Sequence, residues 1–227
     1  MVLTSLKDPD ISRKYIAFFD LDRTIISINS GRSLVRYAYE QGLMTRSDLI
    51  KGMYLSLLHK LNLLKAAKIV DSMLIWVKGV PEEDLQRVTD KMFETYLMTS
   101  FNTGVISEMD FHKKNGGRVV ILSSSIRPVC QRVAGHLGID DVLCSELEII
   151  DGTYTGHPEG PLCFGKEKTA RLIEYCKVMD ASPEDAWYYG DAFSDLDVLS
   201  IVGNPVCVNP DKKLKRAAIK RGWKILP

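Results

Sequence analysis

Two aspartates one residue apart end an apolar run near the start of the chain. The run Ala17–Phe19 is followed by Asp20 and Asp22, and Thr24 comes two residues later. A buried strand gains nothing by ending in two like charges, because carboxylates this close repel each other unless a positive group lies between them. The pair therefore either caps a turn or binds a cation.

Two later apolar runs also end in a polar side chain. Ser123 ends the run RVVILS, and Asp191 ends the run AWYYGD. In open α/β sheets, ligands bind beyond the carboxyl ends of the strands. If the three strands are parallel neighbours, Asp20, Ser123 and Asp191 converge on one small volume. Lys168 lies at the start of a helical pattern whose first turn could reach the same edge.

This set of residues suits phosphoryl transfer with magnesium. Mg²⁺ prefers oxygen ligands, keeps several waters and is commonly held by one or two carboxylates together with substrate phosphate. Asp20 and Asp191 would supply those carboxylates. The ion would also relieve the repulsion between Asp20 and Asp22, so we expect Mg²⁺ as the cofactor.

Four apolar runs predict the strands that would position these residues. They are YIAFFD at 15–20, RVVILS at 118–123, AWYYGD at 186–191 and PVCVN at 205–209. Each is nearly continuous in apolar residues, which is typical of strands covered on both faces in a parallel sheet. Helical patterns are present at 126–137, 166–179, 194–202 and 212–221. Strands that alternate with helices predict a doubly wound, Rossmann-like α/β fold with a mainly parallel sheet.

The interval 27–103 has a different pattern. It contains no run typical of a strand, and its apolar residues recur at helical spacing, for example between Tyr54 and Leu64. We therefore predict an all-helical cap subdomain at 27–103, inserted into an α/β core formed by residues 1–26 and 104–227. An insert at this point would lie above the carboxyl end of the first strand.

Composition and charge argue against several classes of protein. The chain has 227 residues, of which 45% are hydrophobic and 26% charged, a composition typical of a globular protein with a sizeable core. A formal net charge of +1 argues against bulk attraction to nucleic acid or anionic membranes. Its longest apolar runs stay below the roughly 18 residues of a membrane span, and the first residues lack the apolar core of a signal peptide. Five cysteines without a C-x-x-C pair suit a reducing compartment. We expect a cytoplasmic protein with no stable membrane insertion and no nucleic-acid partner.

The four motifs resemble those of the haloacid dehalogenase (HAD) superfamily of phosphatases. Within it, the chain is most similar to the phosphoserine-phosphatase-like branch, subfamily IB, in which a helical C1 cap follows the first motif. DLDRT at 20–24 is similar to D-x-D-x-T, VVILS at 119–123 to the strand that ends in Ser or Thr, Lys168 to the family's lysine, and GDAFSD at 190–195 to G-D-x-x-x-D. D-x-D-x-T alone occurs by composition in roughly a few per cent of chains this long, but all four motifs follow the family's order.

The resemblance implies a catalytic role for the residues of the first three motifs. Asp20 would be the nucleophile that forms an aspartyl-phosphate. Asp22 would protonate the leaving oxygen and then deprotonate the attacking water. Ser123, the backbone amide of Ser124 and Lys168 would bind the phosphate oxygens and stabilise their charge in the transition state.

The resemblance also implies a metal site and an activity. Asp20, Asp191 and the backbone carbonyl of Asp22 would bind Mg²⁺, and Asp195 would orient this site without binding the ion directly. The implied activity is Mg²⁺-dependent hydrolysis of a small phosphorylated metabolite.

Several of these residues also have a purely structural interpretation. Asp20 and Asp22 could cap the segment after the first strand. The serines from Ser123 to Ser125 could cap the next helix, and capping and phosphate binding use the same exposed amides. The presence of all four motifs favours the functional interpretation of the aspartates.

The lysine and the late aspartates have structural alternatives as well. Lys166 competes with Lys168 for the phosphate-binding role, and the family's spacing of three residues after a glycine, here Gly165, favours Lys168. Asp195 and Asp197 would both suit the first turn of a helix, where a carboxylate complements the helix dipole. For Asp197 that structural interpretation is the favoured one.

Two positions depart from the family's pattern. Position 23, often glycine, is Arg23, which adds a charge beside the acidic turn. Phosphoserine phosphatases of this type carry a glutamate shortly after the first motif to hold the substrate's amino group. This chain has Asn29 near that place and no glutamate before Glu40, which argues against phosphoserine as the substrate.

Two lysine-rich segments raise the question of a further partner. The tail from Lys212 to Lys224 is basic but lacks an aromatic stacking platform, so a solvated terminal helix is favoured over nucleic-acid binding. The segment from Lys51 to Lys68 combines lysines with many leucines. The cap's own core is its favoured interpretation, and a site for an acidic or lipid-like substrate is the alternative.

Other functions of this fold and of similar folds remain to be distinguished. A dehalogenase would not need Asp22, which argues against it. A phosphotransferase or phosphomutase keeps all four motifs, and phosphoserine phosphatase itself is the nearest named activity. A receiver-type signalling module would lack the long helical insert, and an inactive binding module would not need intact motifs.

Overall fold

The structure is a computed structural model of the protein, and it describes residues 15–47, 50 and 75–227. The lysine-rich segment at 51–68 and the apolar repeat between Tyr54 and Leu64 lie outside the described residues. The division into a helical cap at 27–103 and an α/β core therefore stays a prediction.

Strands and helices alternate along most of the described chain. The strands are β1 (Tyr15–Phe19), β2 (Gly117–Ile126), β3 (Asp141–Ser145), β4 (Leu147–Ile150), β5 (Thr153–Pro158), β6 (Trp187–Gly190), β7 (Asn204–Val208) and β8 (Lys224–Leu226). The α-helices are α1 (Ser30–Glu40), α2 (Glu82–Met92), α3 (Thr103–Lys114), α4 (Arg127–Leu137), α5 (Lys166–Val178), α6 (Leu196–Ile201) and α7 (Lys212–Arg221). Short 3₁₀ segments lie at Ile75–Val77, Pro183–Asp185 and Phe193–Asp195, and a π-helical segment at Phe93–Leu97 follows α2.

Within the described residues, six strands form one parallel sheet in the order β3-β2-β1-β6-β7-β8. The chain runs outward from β1 through β2 to β3 and resumes on the other side of β1 with β6. The order reverses between β1 and β6, and ligands of open α/β sheets bind at such a switch point. The predicted doubly wound, Rossmann-like fold is confirmed.

The four predicted strands are confirmed as β1, β2, β6 and β7, and the four predicted helices as α4 to α7. The sequence does not predict the edge strands β3 and β8 or the antiparallel hairpin β4–β5. β8 has three residues and β3 begins and ends with a polar side chain, so neither shows a continuous apolar run.

The two faces of the sheet are covered by different helices because neighbouring strand residues point to opposite sides. Ala17 and Phe19 of β1 lie in a core with side chains from α1, α3 and α4. Ile16 and Phe18 lie in a second core with side chains from α5, α6 and α7. Helices therefore cover both faces of the sheet. Because the strands are parallel, their carboxyl ends lie at the same edge of the sheet.

A backbone ladder joins the segment before α2 to the β4–β5 hairpin. Gly79 N donates to Tyr154 O at 2.8 Å, and Tyr154 N donates to Val80 O at 2.9 Å. Beside this ladder, Leu85 of α2 packs in one buried cluster with Leu147 and Tyr154 of the hairpin. Hydrogen bonds therefore attach the segment before α2 to the β4–β5 hairpin, and apolar contacts attach α2 itself to the same hairpin.

Gly203 lies in the turn before β7, where the chain passes close to another backbone. A Cβ atom at position 203 would lie 1.7 Å from the carbonyl oxygen of Glu184. We expect Gly203→Ala to lower the free energy of unfolding by about 1–3 kcal/mol, because one of two backbone segments must move. Gly135→Ala is the matched control, since its Cβ meets open space and alanine favours the interior of α4 by about 0.5–1 kcal/mol. Urea unfolding of both variants checks this prediction, and equal stability of the two would contradict it.

Two further expectations bear on the environment of the chain. Within the described residues, no helix combines the length and the apolar character that a membrane span requires. All five cysteines fall in the described part of the chain, where each is a buried free thiol.

Candidate active site

Asp20 and Asp191 lie at the carboxyl ends of β1 and β6, on the two sides of the switch point. The backbone amide of Asp20 donates to Tyr189 O at 2.9 Å, which continues the pairing of the two strands by one residue. Both aspartates are buried, with 6% of each residue exposed. The sheet topology thus brings together two carboxylates that are distant in sequence.

Lys168 lies in the first turn of α5 and directs its ammonium group at this pair. Its Nζ donates to Asp20 Oδ1, Asp195 Oδ1 and the Tyr188 hydroxyl, each at 2.9 Å. The residue is 3% exposed, whereas Lys166 is exposed to solvent. The structure therefore places Lys168, and not Lys166, among the acidic residues.

Three carboxylates form a cluster around this lysine. Oxygen atoms of Asp20, Asp191 and Asp195 all lie within 4.8 Å of one another. Asp195 is thus a member of the cluster, and its buried Oδ2 has no hydrogen-bond partner among the described residues. Gly190 makes room for Asp195, because a Cβ at this position would lie 2.7 Å from Asp195 Oδ2.

The electrostatics of the cluster follow from burial and from its excess negative charge. Burial raises the pKa of Asp20 to about 6, with Asp195 and Asp22 adding to the shift and Lys168 opposing it. Burial raises the pKa of Asp191 to about 7, and Asp20 and Asp195 act in the same direction. Burial would lower the pKa of Lys168, but the carboxylates of Asp20 and Asp195 raise it on balance, so the lysine stays charged. One lysine does not balance three carboxylates, and a cation would.

The cluster offers the ligands that Mg²⁺ prefers. All of its donor atoms are carboxylate oxygens, and Mg²⁺ selects oxygen ligands over nitrogen and sulfur. The unpartnered oxygen of Asp195 and the presence of three carboxylates beside one lysine leave negative charge that the described residues of the cluster do not balance. The residues present therefore fit a divalent cation of this type.

Ser123 lies on β2 next to β1, and Ser124 and Ser125 follow it within the last part of the same strand. Ser123 is fully buried, Ser124 is exposed, and the amide of Ser125 donates to Ser123 Oγ at 3.3 Å. The prediction that these serines cap the following helix is wrong, because the N-cap of α4 is Ile126 and no side chain caps it. β2 continues to Ile126, which keeps the serines in an extended conformation.

Asp22 directs its carboxylate at the start of α1. Oδ2 accepts a hydrogen bond from Asn29 Nδ2 at 2.7 Å, and Oδ1 accepts from Ser30 N at 2.8 Å. The capping interpretation of this aspartate is therefore correct in part, since Asp22 receives the first amide of the helix. Burial raises the pKa of Asp22, and the hydrogen bonds with Ser30 oppose that rise.

Arg23 explains why glycine is frequent at its position in the family. Its φ is +58°, in the left-handed region that a side chain adopts at a cost of about 1 kcal/mol and glycine adopts freely. The arginine side chain is exposed beside Asp22 and lowers the pKa of both Asp22 and Asp191. The departure from the pattern thus adds positive charge beside Asp22 and removes no carboxylate.

Several polar contacts of the site are not predicted from the sequence. Tyr188 binds Lys168, and Ser30 Oγ lies 2.9 Å from Ser125 Oγ. The contact of Tyr188 could have been predicted from the alternation of side chains along β6. This alternation places Tyr188 and Tyr189 on opposite faces of the sheet, and Tyr188 is on the face that α5, the helix of Lys168, covers. No comparable signal exists for Ser30, whose contact depends on how the chain turns after the first motif.

The comparison with protein families identifies the chain. A model of the haloacid dehalogenase-like hydrolases matches residues 17–200, and the chain belongs to this family. A probable phosphatase of Mycobacterium tuberculosis is 28% identical over 226 residues, which cover 92% of this chain and 74% of that protein. A phosphoserine phosphatase of the same organism is 25% identical, with 96% and 72% covered. A histidinol-phosphatase of Neisseria meningitidis is 26% identical, with 94% and 98% covered. The chain is accordingly a HAD-like phosphatase.

Solved structures support the same fold. A protein of unknown function from Bordetella pertussis superposes with a TM-score of 0.87 at 21% identity, covering 95% of this chain and 99% of that chain. A substrate-bound phosphoserine phosphatase superposes with a TM-score of 0.68 at 18% identity, covering 94% and 92%. At these identities the likeness shows the fold and not the substrate.

Proposed function

We propose that this phosphatase hydrolyses a small phosphomonoester with Mg²⁺ through an aspartyl-phosphate on Asp20. The observation that carries the proposal is the buried cluster in which Lys168 Nζ binds Asp20 and Asp195 while Asp191 lies within 4.8 Å of both. A carboxylate that can serve as the nucleophile, an ammonium group that can bind phosphate and two further carboxylates thus lie close together at the switch point of the sheet.

In the first step, an Asp20 carboxylate oxygen attacks phosphorus and forms the acyl-phosphate bond. The bond between phosphorus and the ester oxygen breaks, and Asp22 donates a proton to that oxygen so that it leaves as an alcohol. Ser123, the backbone amide of Ser124 and Lys168 bind the phosphoryl oxygens as their charge redistributes.

In the second step, water attacks the phosphorus of the aspartyl-phosphate. Asp22, now a carboxylate, accepts a proton from that water. The bond between phosphorus and Asp20 breaks, inorganic phosphate is released, and the Asp20 carboxylate is restored. Asp22 is protonated again at the end, so one turnover consumes one ester and one water.

Asp20, Asp191 and the backbone carbonyl of Asp22 would hold the Mg²⁺, with Asp195 available beside them. The bound ion would neutralise excess carboxylate charge. It would also reduce the electrostatic repulsion between the negatively charged phosphate and the Asp20 carboxylate. Lys168 keeps Asp20 in place by its hydrogen bond, and Tyr188 and Asp195 keep Lys168 in place.

The substrate we propose is a small phosphorylated metabolite other than phosphoserine. The named relatives support a small phosphomonoester, since one is a phosphoserine phosphatase and another a histidinol-phosphatase. Asn29 is bound to Asp22 and carries no charge for a substrate amino group, which disfavours phosphoserine itself. The buried free thiols support the expected cytoplasmic location.

The metal dependence is tested with p-nitrophenyl phosphate. We expect purified protein to release inorganic phosphate with Mg²⁺, to lose more than about 90% of its kcat in EDTA, and to recover when excess Mg²⁺ is added, because the carboxylate cluster needs a cation. Turnover that persists unchanged in EDTA would exclude the mechanism. An added alcohol that collects the phosphoryl group in preference to water would identify a phosphotransferase instead.

A further inference from the structure

Asn29 uses both ends of its side-chain amide inside the protein. Its Oδ1 accepts a hydrogen bond from Arg32 N at 2.9 Å, and its Nδ2 donates to Asp22 Oδ2 at 2.7 Å. The orientation of the amide is fixed, because the backbone N–H of Arg32 can only donate and so requires the oxygen. One side chain therefore caps α1 and holds the Asp22 carboxylate.

The second oxygen of Asp22 is bound by the same helix terminus. Ser30 N, the first amide of α1, donates to Asp22 Oδ1 at 2.8 Å. Two donors on successive residues thus fix the two oxygens of one carboxylate, which defines both its position and its plane. The partial positive charge of an 11-residue helix terminus acts in the same direction.

A further hydrogen bond connects this terminus to the carboxyl end of β2. Ser30 is fully buried, and its hydroxyl lies 2.9 Å from that of Ser125, whose amide donates to Ser123 Oγ. The group that would transfer the proton and the end of β2 that would bind phosphate are therefore joined through Ser30. A change in the start of α1 alters their relative position.

We infer that Asn29 is a positioning residue for the proton transfer by Asp22, an inference that rests on the proposed function. The amide of Asn29 places Asp22 Oδ2 at the leaving oxygen of the ester and does not bind the substrate. With its oxygen on Arg32 and its nitrogen on Asp22, Asn29 leaves recognition of the leaving group to other side chains.

The inference predicts a selective effect on the leaving group. General acid catalysis is worth about 10²–10⁴-fold, and a misplaced catalytic group loses up to about 10²-fold. We expect Asn29→Ser to lower the single-turnover rate of leaving-group release about 10–100-fold for an alkyl phosphate, whose leaving oxygen needs a proton. This rate reports the first step alone, whereas kcat also includes the second step, in which Asp22 acts as a base whatever the substrate was. For p-nitrophenyl phosphate, whose leaving oxygen needs little protonation, the loss is expected to stay below about 3-fold. KM should change little for either substrate.

The choice of serine separates the two roles of Asn29. Serine keeps an oxygen that caps the helix, but its side chain is shorter and carries no amide donor for Asp22. Asn102→Ser is the matched control, because Asn102 caps α3 through Gly104 N and Val105 N with the same side-chain oxygen. We expect the control to keep wild-type kcat on both substrates and to show a similar small change in melting temperature.

The experiment compares Asn29→Ser, Asn29→Asp, Asn102→Ser and Asp22→Asn on two substrates. These are p-nitrophenyl phosphate and the alkyl phosphate that the wild type hydrolyses fastest in a panel of phosphorylated metabolites. Asn29→Asp keeps the cap, loses the donor and adds a carboxylate that repels Asp22, so its selective loss should be at least as large as that of Asn29→Ser. Circular dichroism melting of each variant reports whether α1 and the fold are retained.

Asp22→Asn separates a failure of the inference from a failure of the proposed function. If Asp22→Asn selectively slows single-turnover release of the alkyl leaving group while both Asn29 variants keep the wild-type rate, the inference is overturned and the proposed function stands. If Asp22→Asn slows single-turnover release of both leaving groups equally, the general-acid role of Asp22 is wrong, and the inference falls with it. Equal losses on the two substrates in both Asn29 variants would show that residue 29 only maintains the fold.

Discussion

Asp20→Asn is expected to lower kcat for p-nitrophenyl phosphate by at least about 10⁴-fold. An amide does not attack phosphorus, and it carries no charge to hold either a cation or Lys168. The fold should survive, because asparagine has nearly the same shape and Asp195 still binds Lys168 at 2.9 Å. Steady-state turnover with Mg²⁺ measures the loss, and a melting curve checks that the variant is folded.

Asp197→Asn is the control for this prediction. Asp197 is exposed in the first turn of α6, and it is two residues from a member of the cluster without belonging to it. The same chemical change there should leave kcat within about 2-fold of the wild type, since an exposed charge is screened by solvent. Acid quenching with a radiolabelled phosphomonoester adds a direct measurement. Label should remain on the wild type and on Asp197→Asn, and its presence on Asp20→Asn would place the nucleophile elsewhere.

Much of the fold can be predicted from the sequence, because its central strands are buried on both faces. β1, β2, β6 and β7 read as continuous apolar runs, and each polar residue at the end of a run marks the carboxyl edge of the sheet. The strands outside the centre of the sheet cannot be predicted in this way, for a physical reason. β8 is a short edge strand, and β4 and β5 form a hairpin apart from the six-stranded sheet, so partial exposure removes the apolar pattern that identifies a strand.

The candidate site likewise has a part that can be predicted from the sequence and a part that cannot. Asp20, Asp191 and Lys168 lie at the ends of regular elements, so their meeting follows from topology once the sheet is parallel. The contact of Asn29 with Asp22 follows from an irregular turn of the chain and from a helix that begins at Ser30. Sequence patterns describe periodic elements, and they do not fix the path of such a turn. From the sequence, position 29 is notable only because asparagine stands where a phosphoserine phosphatase would have a glutamate. The structure shows in addition that Asn29 donates a hydrogen bond to Asp22.

Asp191→Asn is expected to abolish turnover and, without metal, to stabilise the fold. The pKa of Asp191 is raised from its ordinary value of 3.8 to about 7, because burial and two neighbouring carboxylates oppose its charge. Removing that charge should increase the free energy of unfolding at pH 8 by about 2–4 kcal/mol. For a chain of this size, that corresponds to a melting temperature roughly 5–10 °C higher.

The sign of the pH dependence follows from the raised pKa. Between about pH 4 and pH 7, the folded protein holds a proton on Asp191 that the unfolded chain has lost. The stability that this proton confers is complete below pH 4 and disappears as the pH rises through about 7. The melting temperature of the metal-free wild type should therefore fall relative to that of Asp191→Asn across this window. The two proteins should melt at similar temperatures near pH 4.

Magnesium should offset most of the stability difference between the wild type and Asp191→Asn that metal-free conditions give. A ligand that binds only the folded protein adds about 2.7 kcal/mol when its concentration is 100 times its dissociation constant. At pH 8, Mg²⁺ should therefore raise the melting temperature of the wild type and have little effect on Asp191→Asn, which lacks one of the carboxylates for the ion. A wild type that melts at the same temperature in EDTA and in excess Mg²⁺ would show that the cluster does not bind the metal. If Asp191→Asn is less stable than the metal-free wild type, the Asp191 carboxylate stabilises the fold. Its burial would then not be explained by a role in binding a cation.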